Sequence, residues 1–220
     1  MDFRKGLVEP NSNITGVIIG DSNLFVIQED SVMGKYLHCT KSTGSSSTNY
    51  VIWSGSKNYW NNIFTSPTSN PITVSLWLYF TLPTQDPNGM FNTRTGDSTP
   101  GILISMNDST TSPNFYAIFK SNYSIGLGGK VGAQYAGQWM QIVVVRDSSS
   151  ARFYINGTLI SSGTATALKN ADITATCDVN IGGLWTSWGG LKAQFDVTKY
   201  RVYKRALTVA EILDLYDRKA

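Results

Sequence analysis

Charged side chains are scarce in this sequence. They make up 15% of the 220 residues, against roughly 25% in an average soluble domain. Glutamate occurs only as Glu9, Glu29 and Glu211, which argues against a coiled coil or a helical bundle because both are rich in this residue. Hydrophobic residues make up 41%, and this content excludes intrinsic disorder, which combines few apolar residues with high net charge.

Several other absences limit the function. Basic residues form no run longer than a pair, although the formal net charge is +3, so we expect no nucleic-acid partner. No apolar run reaches the roughly 18 residues that a membrane span requires, so we expect no membrane insertion. The first residues, Met1–Lys5, are not followed by the apolar segment of a secretory signal, and we expect synthesis without a signal peptide.

Cysteine and histidine are also rare. Cys39 and Cys177 are too few for a disulfide scaffold. Two buried free thiols are the favoured interpretation, and a single bridge between them stays open as the alternative. The one histidine, His38, precedes Cys39, and neighbours on a strand point to opposite faces, so we expect no catalytic Cys–His pair.

Short β-type segments separated by turn residues dominate the sequence. Turn signals recur at the spacing of a sandwich or barrel. The clearest strand, Ile72–Phe80, alternates apolar residues with a second face that carries Trp77 and Tyr79, which predicts a central strand covered on both faces. We predict further strands at Gly16–Gly20, Leu24–Gln28, Tyr50–Trp53, Gly101–Met106, Phe115–Lys120, Trp139–Arg146, Arg152–Asn156, Thr158–Ser161, Cys177–Gly182 and Leu191–Tyr203.

Local signals also predict two hairpin turns and a helix. Asp147–Ala151 is typical of a hairpin loop, and Asn156-Gly157 is typical of a tight turn in which both residues have positive φ. Thr208 and Glu211 have the spacing of a capping box, and Leu207 and Ile212 that of a hydrophobic staple. The sequence therefore predicts an all-β antiparallel sandwich, one domain over residues 1–220, with one short C-terminal helix.

Four segments in the C-terminal half occur in an order typical of a known family. They are GQWMQIVVVR (137–146), ARFYING (151–157), VNIGG (179–183) and FDVTKYRVYKRALTVAEI (195–212). In this order they resemble the laminin-G-like jelly roll of the concanavalin A-like lectin/glucanase superfamily, over about residues 72–217. The resemblance implies a two-sheet antiparallel jelly roll. Because fold alone does not decide function, the site has to be argued from its residues.

The superfamily includes glycosidases, and a glycosidase would require paired carboxylates in this sequence. Glycoside hydrolysis requires two carboxyl groups about 5–10 Å apart, which on a strand favours acidic residues at alternate positions. No such run occurs: Glu211 belongs to a helix cap, and Glu29 and Asp30 are adjacent and face opposite ways. We therefore expect a protein that is not an enzyme, with a glycoside hydrolase as the less favoured alternative.

No organic cofactor is predicted, and calcium is the one metal considered. Many laminin-G-like domains hold a calcium ion at the rim with aspartate side chains and backbone carbonyls. Asp86, Asp97, Asp108 and Asp178 lie in predicted loops and are weak candidates as ligands, because loop aspartates more often form turns.

Two aromatic loops are the candidate ligand sites. Trp185 and Trp188 lie in the glycine-framed segment 182–190, and Tyr59, Trp60 and Asn61 lie in a segment that mixes aromatics with amides. Aromatic faces stack on sugars, and amides bridge hydroxyl groups. Three interpretations stay open: a cap on the core, an interface with another protein, and a glycan platform. The other tryptophans, Trp53, Trp77 and Trp139, are expected in the core.

Two functions compete on this evidence. The first is a non-enzymatic adhesion module, present in many copies on a virion such as a phage head or tail, that binds glycans of the host surface. The second is a structural decoration or assembly protein that contacts only other subunits. We expect glycans or assembly subunits as partners, and the virion surface as the location.

Overall fold

The computed structural model describes residues 8–9, 14–40, 49–82, 88–96, 98–106, 114–119, 124–126, 133–164, 171–183 and 194–218. Within these residues the chain is mostly β. The strands are β1 (Val8–Glu9), β2 (Ile14–Ile19), β3 (Phe25–Asp30), β4 (Gly34–Cys39), β5 (Tyr50–Trp53), β6 (Ile72–Phe80), β7 (Asn88–Asn92), β8 (Ile102–Met106), β9 (Phe115–Phe119), β10 (Ser124–Gly126), β11 (Met140–Arg146), β12 (Ala151–Ile155), β13 (Thr158–Gly163), β14 (Asn180–Ile181) and β15 (Phe195–Tyr203). The α-helices are α1 (Ser56–Ile63) and α2 (Val209–Arg218).

The strands form two antiparallel sheets. One has eight described strands in the order β1-β2-β5-β14-β7-β8-β9-β10, and the other has seven in the order β13-β12-β11-β6-β15-β4-β3. The two sheets pack face to face around one apolar core, in which Phe80 of the second sheet meets Phe115 of the first with ring centroids 5.3 Å apart. The predicted two-layer antiparallel sandwich is confirmed. Within the described ranges, neither α-helix is long and apolar enough to cross a membrane.

Strand β6 is the centre of the seven-stranded sheet, as its sequence predicts. It pairs with β11 on one side and β15 on the other. One set of alternating side chains, Ile72 to Phe80, lies in the core between the sheets. The other set, which includes Trp77 and Tyr79, lies on the face turned away from the other sheet, which we call the outer face.

The predicted turns have the geometry that their residues favour. Asn156 and Gly157 have φ values of 49° and 75°, so the pair occupies the left-handed region that a tight hairpin between β12 and β13 requires. In the loop between β11 and β12, the Asp147 carboxylate accepts the backbone N–H groups of Ser149 at 2.7 Å and Ser150 at 2.8 Å.

The predicted C-terminal helix is also confirmed. The Thr208 N–H donates to Glu211 Oε2 at 2.9 Å, and the Glu211 N–H donates to Thr208 Oγ1 at 3.3 Å, which closes the capping box. Leu207 and Ile212 are buried in a small cluster on the outer face with Val143 and Val145. Helix α2 therefore covers part of the outer face of the seven-stranded sheet.

A second helix is the main departure from the predicted fold. The sequence predicts one helix, whereas the structure also has α1 at residues 56–63, where a loop was expected. Its N-cap is Gly55, which has a φ of 88° and no capping side chain, so the usual sequence signal is missing. Strands β1, β4, β7 and β10 are likewise absent from the predicted strands. The predicted strand Cys177–Gly182 shortens to β14, two residues long.

Candidate functional site

Most of the loop residues predicted as ligands lie outside the residues that the structure describes. Trp185 and Trp188 fall outside the described residues, as do the weak calcium candidates Asp86, Asp97 and Asp108. Their roles stay predictions.

Trp60 lies in the core, which is the first of the three interpretations given to it. Its side chain is 3% exposed, and its indole N–H donates to the Ile173 carbonyl at 2.8 Å. Its ring packs against Phe64 and Phe91 at centroid distances of 4.7 and 5.8 Å. The prediction of a loop that offers Trp60 to a ligand is wrong, because the helix turns this indole inward and leaves no face for a sugar. Tyr59 stays 40% exposed.

Asn61 and Asp178 stabilise the same region. The Asn61 amide accepts the Ala175 N–H at 2.8 Å and donates to the Ala175 carbonyl at 3.1 Å. The Asp178 carboxylate accepts the backbone N–H of Lys57 at 2.7 Å, in the first turn of α1. Both side chains therefore fasten α1 to the segment 173–178. Among the described residues, no group of three acidic, histidine or cysteine side chains could hold a metal ion.

The two cysteines are free thiols. Cys39 lies in the core, where burial raises the pKa of its thiol well above the ordinary value. Burial raises the pKa of the Cys177 thiol to about 11, so neither thiol is a nucleophile at neutral pH. His38 lies on the outer face, opposite to Cys39, as expected for neighbours on a strand.

The outer face of the seven-stranded sheet carries a cluster of aromatic and polar side chains that the sequence did not reveal. The strand register places Tyr79 opposite Asp196 and Asp196 opposite His38. Trp139 precedes β11 at the position opposite Tyr79, and Tyr36 is two residues before His38 on β4. We call this group the outer-face cluster; its members are Gln28, Asp30, Tyr36, His38, Tyr79, Trp139 and Asp196.

Trp139 lies across the cluster and contacts two tyrosines. Its ring centroid lies 5.4 Å from that of Tyr36, edge to face, and 5.8 Å from that of Tyr79. All three side chains are half-buried. The prediction that Trp139 lies in the core is wrong, because this residue points to the outer face and is only half-buried. Its indole contributes to lowering the pKa of the Asp30 carboxyl group.

Polar groups surround these rings. The Tyr36 hydroxyl donates to Gln28 Oε1 at 2.7 Å, and His38 Nδ1 lies 2.5 Å from Asp196 Oδ1. Burial raises the pKa of Asp196, and the hydrogen bond with His38 partly offsets this rise. The backbone N–H groups of Met33 and Val32, helped by the Trp139 indole, lower the pKa of Asp30.

The arrangement offers three aromatic surfaces beside an amide, two carboxyl groups and an imidazole. The signal in the sequence was the alternation of Tyr36 and His38 with the core residues Leu37 and Cys39. These residues form a site only because β3, β4, β15 and β6 pair side by side in the sheet. The pairing brings together residues that are far apart in sequence, such as His38 and Asp196.

The model of the concanavalin A-like lectin/glucanases superfamily matches residues 43–213. The chain belongs to this superfamily. The match begins before the segments that carried the resemblance in the sequence, so it also includes α1 and β5. No curated protein matches the chain.

Two solved structures of the same fold are similar to this chain over nearly its whole length. Domain 4 of AbnA, a GH43 extracellular arabinanase from Geobacillus stearothermophilus, in complex with arabinotriose, superposes with a TM-score of 0.65 and 20% identity, over 98% of this chain and 95% of that one. The receptor-binding domain of a botulinum neurotoxin C/D mosaic serotype superposes with a TM-score of 0.64 and 14% identity, over 93% of this chain and 46% of that one. The chain thus spans about half the length of the neurotoxin domain. These identities establish the fold alone.

Proposed function

We propose that this protein is a non-catalytic carbohydrate-binding module and that the outer-face cluster is its binding surface. The observation that carries the proposal is the grouping of Tyr36, Tyr79 and Trp139 on one open sheet face. Aromatic rings with a polar handle present an apolar face and a hydrogen-bonding edge, which suits the C–H patches and hydroxyl groups of a sugar ring. The related structures support it, since the AbnA domain was solved with arabinotriose.

The polar groups of the cluster are arranged for binding rather than for bond cleavage. Asp30 Oδ1 accepts the N–H groups of Val32 at 2.8 Å and Met33 at 2.7 Å, which makes it a turn cap. Asp196 is hydrogen-bonded to His38. A glycosidase needs one carboxylic acid facing the leaving oxygen and a second carboxylate free to act as base or nucleophile. In the outer-face cluster both carboxyl groups already have protein partners.

The location proposed for this module is a multi-copy assembly such as a virion surface. An open sheet face makes few contacts with one sugar, and many copies on one particle raise the overall affinity without any new contact. Glycans are then the partners of the cluster, and neighbouring subunits are the partners of the remaining surface.

The experiment measures binding of the purified protein to arabino-, xylo-, manno- and cello-oligosaccharides of three and six units. We expect Trp139→Ala to weaken binding of the retained sugar by about tenfold or more, the size of effect seen when a central aromatic contact is removed. Tyr59→Ala removes an exposed aromatic residue outside the cluster and is the matched control. Unchanged binding by Trp139→Ala, or a loss confined to Trp185→Ala and Trp188→Ala, would refute the cluster as the site.

A further inference from the structure

Buried polar atoms lie beneath α2 without hydrogen-bond partners among the described residues. They are Ser75 Oγ, Trp77 Nε1, and both Oε1 and Nε2 of Gln141. Trp77 is 1% exposed and Gln141 is fully buried. Native proteins rarely leave such groups unpaired, because a buried donor or acceptor without a partner costs free energy. The outer face beneath α2 is therefore more polar than a surface built only to receive a helix.

These atoms belong to neighbouring side chains on the same face. Gln141 lies directly opposite Trp77 in the pairing of β11 with β6, and Ser75 is two residues before Trp77. Residues directly opposite each other on one face of an antiparallel pair are in contact distance. An indole, an amide and a hydroxyl group therefore lie side by side here. This combination of aromatic and polar side chains is similar to that of the outer-face cluster. The next residue of β6 on the outer face is Tyr79, which belongs to the outer-face cluster. The group of Ser75, Trp77 and Gln141 is therefore continuous with that cluster.

Tyr216 of α2 covers the Trp77 indole. The two rings lie 5.8 Å apart between centroids and are nearly parallel, with an interplanar angle of 11°. In the outer-face cluster, by contrast, Trp139 meets Tyr36 edge to face. A flat ring parallel to an indole occupies the space in which a sugar ring stacks, so the Tyr216 phenol fills the place of a sugar above Trp77.

The two ends of α2 are held unequally. At the start, Leu207 and Ile212 are buried, and the Leu207 N–H donates to Thr73 Oγ1 at 3.0 Å. In the last turn, Leu215 and Tyr216 are only half-buried, and the residues on either side of them are exposed. The last turn is held only by half-buried contacts, of Leu215 with the apolar group that contains Leu207 and Ile212 and of Tyr216 with Trp77. It therefore opens locally at lower free energy than the first turn.

We propose that Trp77, Gln141 and Ser75 form a second carbohydrate subsite, adjoining the outer-face cluster and closed by Tyr216. Trp77, Gln141 and Ser75 are uncharged and offer a ring face, an amide and a hydroxyl, groups that suit a neutral sugar. Arg201 of β15 lies opposite Ser75 and is a charged neighbour of the subsite. A neutral oligosaccharide long enough to extend past Tyr79 displaces the last turn of α2 and stacks on Trp77. Part of the sugar's binding free energy is used to open the last turn of α2. The observed affinity is therefore lower than it would be if the subsite were always open. This inference rests on the function proposed for the cluster.

The experiment compares three-unit and six-unit arabino-, xylo-, manno- and cello-oligosaccharides on five proteins: the wild type, Tyr216→Ala, Tyr216→Phe, Asp217→Ala and the double variant of Tyr216→Ala with Gln141→Leu. Tyr216→Ala opens the subsite, so we expect its affinity for the six-unit sugar to rise about three- to tenfold, with no change for the three-unit sugar. Tyr216→Phe keeps the ring, and Asp217→Ala alters an exposed neighbour, so both should behave as the wild type. Gln141→Leu added to Tyr216→Ala should cancel the gain.

Hydrogen exchange on the wild type gives a second measurement that does not depend on a variant's folding. The six-unit sugar should increase amide exchange at residues 214–218, and the three-unit sugar should not. The closed subsite would be overturned if Tyr216→Ala gained affinity equally for both sugar lengths or not at all, or if amide exchange did not change. Loss of binding in Trp139→Ala would still support the outer-face cluster as a binding surface. If the wild type binds no sugar of the panel, both proposals fail.

Discussion

The Asp178 carboxylate accepts the backbone N–H of Lys57 at 2.7 Å, although 121 residues separate the two in sequence. Helix α1 begins after Gly55, which offers no capping side chain, and the first N–H groups of a helix have no partner within the helix. Asp178 supplies that partner from another segment, and its negative charge lies at the positive end of the helix dipole. The helix is therefore stabilised by tertiary structure rather than by its own sequence.

Replacing this cap should destabilise the fold measurably. We expect Asp178→Ala to lower the free energy of unfolding by about 1 kcal/mol, as for other lost N-terminal caps. Asp178→Asn keeps an oxygen acceptor and should lose less. Asp214→Ala breaks an exposed pair with Arg218 and should cost at most about 0.5 kcal/mol. Denaturant unfolding measures all three, and equal values for Asp178→Ala and Asp214→Ala would argue against the cap.

Chelation should leave the protein's stability unchanged. The described calcium candidate, Asp178, uses its carboxylate to cap α1, and no metal-holding group of three side chains occurs among the described residues. We expect the same Tm in EDTA and in millimolar calcium. A bound ion would raise Tm with its concentration, and such a rise would direct attention to Asp86, Asp97 and Asp108.

The sequence was sufficient for features whose cause is local. The turn at Asn156-Gly157, the capping box of Thr208 and Glu211, and the two-faced strand Ile72–Phe80 each depend on residues within one segment. Trp60 could not be placed in this way, because its partner is Ile173. The outer-face cluster depends on pairing β4 with β15, and its key contact joins His38 to Asp196 across 158 residues.

No glycoside hydrolysis is expected at the outer-face cluster. Burial raises the pKa of Asp196, and hydrogen bonds lower the pKa of Asp30. The two pKa values therefore differ in the direction expected of a catalytic acid and a catalytic base. Each carboxyl group already bonds to the protein, however, Asp196 to His38 and Asp30 to its own turn. Release of reducing ends from bound polysaccharide should equal that of a blank. Turnover that disappears in Asp196→Asn would contradict the non-catalytic assignment.

The capping box of α2 should make stability depend on pH in acid. The hydrogen bonds from Arg205 and from the Thr208 N–H lower the pKa of Glu211 to about 2, from an ordinary value of 4.5. Because the folded pKa is the lower one, ionised Glu211 stabilises the fold above about pH 4.5, and this contribution is lost as the pH falls toward 2. Glu211→Gln keeps an oxygen that caps the helix, and it removes the charge together with one of the two oxygens that face Arg205.

Urea unfolding at several pH values between 3 and 7 tests this dependence. The wild type should be more stable than Glu211→Gln near neutral pH, and the difference should shrink steadily as the solution becomes more acidic. Added salt should reduce the difference as well, since Arg205 and Glu211 are exposed and their attraction is screened. A difference that stays constant down to pH 3 would mean that the Glu211 charge does not stabilise the start of α2.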